Sequence, residues 1–136
     1  MKSKEYYEIV CKSLHTGLEE GLKKGNEQIK KAFERMIKMT EIMNKKVIVR
    51  GDRSGVFFGT ITHKEGQEVT LKDCRRLWYW SGAASISQIA TDGVKRPSDC
   101  KFTVTVEKIV ILDAIEIIPC TEKAIENIEG VKKWMI

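Results

Sequence analysis

The sequence predicts an α+β fold: an N-terminal helical element (hairpin or bent helix), then a small curved antiparallel sheet or open barrel carrying an inserted short helix and a C-terminal helix. Three observations predict it. Apolar residues recur at three- and four-residue intervals up to about residue 45, the helical period. From Lys46 that period drops to two, the period of strands. Turn-forming glycines then punctuate the extended stretches. The expected organisation is a helical oligomerisation element over residues 1–45 and a β-rich binding domain over 46–136.

In the first element Ser3 is a plausible N-cap, and Tyr6, Ile9, Val10, Leu14, Leu18 and Leu22 fall on one helical face. Gly25-Asn26 marks a break. Ile29, Phe33, Met36, Thr40 and Met43 then follow 4, 3, 4, 3 spacing, a short coiled-coil-like seam. Gly17, Gly21 and Gly25 form a smooth stripe that reads either as a weak, kinked helix or as a face that lets a partner helix approach closely. The surrounding charges rule out a transmembrane helix there.

The second element opens with a strand at Val47-Ile48-Val49, closed by Gly51. Val56–Thr62 and Glu68–Leu71 flank Lys64-Glu65-Gly66, which reads as a hairpin turn with glycine supplying positive φ. Arg76–Trp80 continues as a strand, and Ser85–Thr91 forms a short helix ending before Gly93. Phe102–Val106 alternates cleanly, and Ile109–Leu112 through Ile115–Ile118 adds one or two strands ended by Pro119. Thr121 caps a last helix reaching about Asn127, with Gly130 beyond it. The expected sheet has about five strands.

A chain of 136 residues with 42% hydrophobic and 32% charged content is a folded protein with a real core. No apolar run approaches the roughly 18 residues that span a bilayer, and no signal-peptide apolar region follows Met1, so a cytoplasmic location is expected. Cys11, Cys74, Cys100 and Cys120 lack metal-finger spacing, and His15 and His63 are isolated; no metal or cofactor is expected, and the thiols read as buried and reduced. The formal net charge of +5 is uneven: residues 1–46 hold 11 Lys/Arg against 7 Asp/Glu, whereas residues 101–136 hold 5 against 6. That bias permits anionic partners without demanding a long phosphate backbone.

The chemistry concentrates in Arg75-Arg76-Leu77-Trp78-Tyr79-Trp80, which gathers two of the three tryptophans beside paired arginines. Flat rings stack on bases, and guanidinium forks grip phosphate or carboxylate. On a regular strand Trp78 and Trp80 share one face while Arg75, Leu77 and Tyr79 share the other, so one face is free to be core. The small polar stretch that follows, with Ser81, Gly82, Ser85, Ser87 and Gln88, would let a ligand reach backbone N–H groups and a helix N-terminus. Arg50 and Arg53, in the loop Arg50-Gly51-Asp52-Arg53-Ser54-Gly55, are the second cationic group. That loop lacks Walker spacing and reads equally as a solvated turn. Lys95-Arg96-Pro97 reads as an exposed loop. No catalytic motif is present: no H-E-x-x-H, G-x-S-x-G or paired-carboxylate spacing occurs, and an enzyme is not expected.

From Val47 onward the chain resembles a family of small proteins encoded by phages and prophages, with no settled function. The resemblance is carried by Val49-Arg50-Gly51-Asp52-Arg53-Ser54-Gly55-Val56-Phe57-Phe58-Gly59, by Arg75–Ala83 through Ser87-Gln88-Ile89-Ala90, by Leu112–Ile117 and by Pro119-Cys120-Thr121. The helical first 45 residues stand outside its usual short form. It implies a viral origin and a bacterial host cytoplasm. By analogy of design, small oligomeric phage proteins with basic, aromatic pockets resemble sponges that sequester nucleotide immune signals. The expected function is therefore non-enzymatic binding of a nucleotide-like small anionic ligand by a homo-oligomer joined through the N-terminal helices. Trp78, Tyr79 or Trp80 would stack on the base, with Arg50, Arg53, Arg75 and Arg76 on phosphates. The alternatives are a nucleic-acid- or protein-binding inhibitor of a host enzyme, and a structural phage protein.

Overall fold

A computed structural model describes residues 27–136. The chain divides into two units at Ile42/Met43. In the first, Glu27–Ile42 forms helix α1, which is free of Gly and Pro and on which Ile29 and Met36 are exposed. The expected first helix and the glycine stripe lie outside the described residues.

The second unit holds six antiparallel strands in one open sheet: β1 (Lys46–Gly51), β2 (Val56–Glu65), β3 (Glu68–Tyr79), β4 (Lys101–Phe102), β5 (Val106–Ile111) and β6 (Ala114–Pro119). Their order is β4-β3-β2-β1-β6, and β5 also pairs with β3. Two short α-helices accompany them, α2 (Ile86–Asp92) between β3 and β4 and α3 (Glu122–Gly130) after β6, and a 3-10 turn (Pro97–Asp99) leads into β4. The expected α+β architecture with an inserted and a terminal helix is the one observed.

β3 organises the sheet. One edge pairs along β2, and the other is shared, with β5 beside Val69–Cys74 and β4 beside Leu77–Tyr79. This sharing breaks the expected single strand 102–106. Phe102 pairs with Leu77 and Val106 with Cys74, so Thr103, Val104 and Thr105 cross between the two partners. Thr103 holds the crossing: its hydroxyl accepts the Arg76 N–H (2.9 Å), and its own N–H donates to the Arg76 carbonyl (3.0 Å).

Val47, Ile48 and Val49 are all fully buried, so both faces of β1 are covered. One hydrophobic cluster joins Ile48, Phe58, Leu77 and Phe102 of the sheet to Ile89 and Ala90 of α2 and Ala124 and Ile128 of α3. α2 and α3 are locked by Asn127, whose amide accepts the Val94 N–H (2.8 Å) and donates to the Val94 carbonyl (3.0 Å). Gly93, at φ 78°, lies so close to Asn127 that a Cβ would stand 2.4 Å from its side chain. No helix among the described residues is long and apolar enough to cross a membrane.

Candidate functional site

The arginine pair divides between two structural tasks. Arg75 is buried, and its guanidinium donates to four carbonyls: Phe102 (3.1 Å), Thr103 (3.1 Å), Ile128 (2.9 Å) and Val131 (2.9 Å). Burial lowers its pKa, because water no longer solvates the charge. The carbonyls at the end of α3 supply partial negative charge in its place. The expectation that Arg75 meets a phosphate is therefore corrected: its donors hold the C-terminal segment and β4 against β3.

Arg76 lies over the Phe57 ring, 4.4 Å from its centroid, and donates to the Ser54 carbonyl. Of the pair, Arg76 is thus the residue that meets the Arg50–Gly55 loop. The loop is already folded around an internal anion. The Asp113 carboxylate accepts the backbone N–H of Arg53 (2.8 Å) and of Ser54 (3.1 Å), and the Ser54 hydroxyl (2.5 Å). These bonds pull the Asp113 pKa below its ordinary value, led by the Ser54 hydroxyl. The loop amides that a phosphate would use are taken by Asp113. The side chains of Arg50 and Arg53 are exposed, and Arg50 stands opposite Glu116 in register.

The expected alternation of the aromatics is also corrected. Leu77 pairs with Phe102 and Tyr79 with Lys101, so β3 carries one residue more than β4 and bulges at Trp78. The bulge places Trp78 (63% exposed) and Tyr79 (52%) both in solvent, while Trp80 packs against the hydrophobic cluster. Trp78 and Trp80 do not share an environment.

The segment after Trp80 serves the fold. Ala83 and Ile86 pack on the cluster, and the Ser81 N–H donates to the Cys100 sulfur (3.4 Å). Gly82, at φ 88°, lies against the Lys95-Arg96 backbone, where a Cβ would come within 2.7 Å. Ser85 caps α2 by accepting the Gln88 N–H (3.2 Å), and the Gln88 side chain accepts the Ala84 N–H (2.8 Å). The anion expected at this helix N-terminus thus meets side chains that already satisfy it. Ser87 is exposed, and its carbonyl accepts the Thr91 hydroxyl (2.8 Å).

A different set of residues comes together on the surface. Tyr79 pairs with Lys101 across β3 and β4. Phe102 bridges to Lys133, and the Trp134 N–H donates to the Phe102 carbonyl (2.8 Å). These three adjacent segments put the Lys101 ammonium 6.0 Å from the Tyr79 ring centroid and 5.5 Å from that of Trp134. The geometry is a cation flanked by two rings, all exposed to solvent. Neither Lys101 nor Trp134 is singled out by sequence, because the alignment of the tail with β4 is a long-range pairing. Cys74 is buried and Cys120 half-buried, and burial pushes both thiols up to about 12, so both stay protonated at neutral pH.

The chain belongs to the DUF6948 family, a domain of unknown function whose model matches residues 44–128. Among solved structures it is similar to a heptameric archaeal Sm protein, at 14% identity and a TM-score of 0.42, covering 62% of this chain and 98% of that one. No curated protein matches the chain.

Proposed function

We propose that this protein is a non-enzymatic binding protein for nucleotide-type ligands, with the ring stacked on Tyr79 or Trp134 and the phosphate met by Lys101 and neighbouring lysines. The observation that carries the reading is the exposed Tyr79–Lys101–Trp134 row. Large rings left in water beside a lysine form a surface suited to a flat anionic partner. Base–aromatic stacking contributes about 1–3 kcal/mol per base without requiring base-specific hydrogen bonds. In its fullest form the reading makes the chain a phage-encoded, cytoplasmic homo-oligomer that withholds a nucleotide-derived defence signal of its bacterial host. Support for that form comes from the resemblance of residues 47–121 to phage proteins and from the exposed Ile29 and Met36 on α1.

The test is isothermal titration of the intact protein with a panel of cyclic and ADP-ribose-type nucleotides and with mononucleotides. Tyr79→Ala and Trp134→Ala should each weaken binding about 5- to 150-fold while the circular dichroism spectrum stays unchanged. No heat of binding at millimolar nucleotide, or equal binding by the double variant, would remove the proposal.

A further inference from the structure

The row of rings is open to solvent, and its openness bears on the size of the ligand. A single nucleotide laid on an exposed ring gains one stack and one or two surface ion pairs. On the surface of one protomer those gains together reach only about millimolar affinity. A strand that brings several bases to the same surface does better, since each contact after the first is intramolecular. Trp78, beside Tyr79 in the bulge and 63% exposed, provides a third ring.

Charge lies on the segments that adjoin these rings along the chain and through the backbone. Lys95 and Arg96 are exposed and lie against Gly82, three residues beyond Tyr79, with the Lys95 N–H donating to the Gly82 carbonyl (3.1 Å). Lys132 and Lys133 are exposed immediately before Trp134. With Lys101, residues 95–101 and 132–134 hold five cations against one carboxylate, Asp99. That excess is complementary to a run of phosphates and exceeds what one phosphate needs.

We infer that the ligand class of this surface is single-stranded nucleic acid. The inference rests on the stacking site proposed above and narrows it to a polymer. Bases in a duplex present their faces to one another and cannot lie on Tyr79 or Trp134, so the unpaired strand is the form that fits. Contacts to rings and phosphates alone carry little sequence information, so binding is tolerant of sequence.

Fluorescence anisotropy of the full-length protein with a labelled ten-nucleotide oligo(dT) or oligo(U), at about 50 mM and 200 mM salt, tests this. The ten-mer should bind at least 100-fold more tightly than the corresponding mononucleotide. Its affinity should fall steeply with salt, and a duplex of equal length should bind more weakly. Tyr79→Ala, Trp134→Ala and Lys101→Gln should each reduce ten-mer affinity at least fivefold with the melting temperature retained. If nucleotides of the panel bind in a Tyr79- and Trp134-dependent way and the ten-mer gains nothing, the polymer inference fails while the stacking site survives. If the ten-mer binds tightly and the double variant Tyr79→Ala/Trp134→Ala binds it equally well, this surface is not the site and both readings fall. Absence of binding by every probe likewise overturns both.

Discussion

Arg75 shows how far a residue's environment can redirect its chemistry. In sequence it is half of a cationic pair beside two tryptophans; in the fold it is an internal clamp whose four acceptors come from β4, the Thr103 crossing and the end of α3. Lysine has the charge but not the planar fork, so it cannot satisfy four carbonyls in these directions. Arg75→Lys should therefore lower unfolding stability by about 2–4 kcal/mol, read from urea denaturation, with most of the loss in the midpoint. An unchanged midpoint would contradict the clamp. Arg76, one residue on, is turned toward the β1–β2 loop and the Phe57 ring.

Among elements, the contact between the β1–β2 loop and the β5–β6 turn is built on Asp113, whose carboxylate is held by two amides and a hydroxyl and whose carbonyl accepts the Asp52 N–H (2.9 Å). Gly51 is required beneath it, because a Cβ there would meet the Ser54 hydroxyl and Asp113. The Asp113 pKa is lower in the folded state than in the unfolded one. Its contribution to stability is thus complete above the unfolded value of about 3.9 and is lost as pH falls through the folded value. Thermal melts should show the wild type losing stability below about pH 4, whereas Asp113→Asn should be less stable at pH 7 and flatter over that acid range. Parallel pH profiles for the two proteins would disprove the assignment. This contact was not legible in the sequence. Arg50–Gly55 reads as a loop open to ligands, and the carboxylate that closes it lies some sixty residues away.

At the scale of the whole molecule, the family match ends at residue 128, yet the fold of the second unit continues past it. Val131 is buried in the hydrophobic cluster and its carbonyl accepts from Arg75, while Trp134 bonds to Phe102 and flanks Lys101. A chain ending after Ile128 should unfold at a clearly lower temperature than the full chain, by calorimetry, because an apolar side chain leaves the core and a buried charge loses an acceptor. A chain ending after Val131 should recover most of that stability and still lack the Trp134 ring. Equal melting temperatures for all three would show that the tail is dispensable. The pairing of tail, β4 and β3 therefore ties the candidate site to the stability of this unit.

Period and turn chemistry are local properties, and by themselves they determined the α+β class, the hairpin at Gly66, the short helix before Gly93, the Thr121 cap and the end of β6 at Pro119. They also marked the Arg75–Trp80 stretch as unusual. Only the tertiary structure decided how that stretch is divided, because an extra residue in β3 relative to β4 reverses the facing of everything beyond it. The bulge turned Trp80 against the hydrophobic cluster, left Trp78 and Tyr79 in water, and brought Lys101 between Tyr79 and Trp134. A strand's period can be read along the chain, but its register against a distant partner is set by hydrogen bonds between segments. For that reason the exposed aromatic row, and with it the proposed ligand, belongs to the fold.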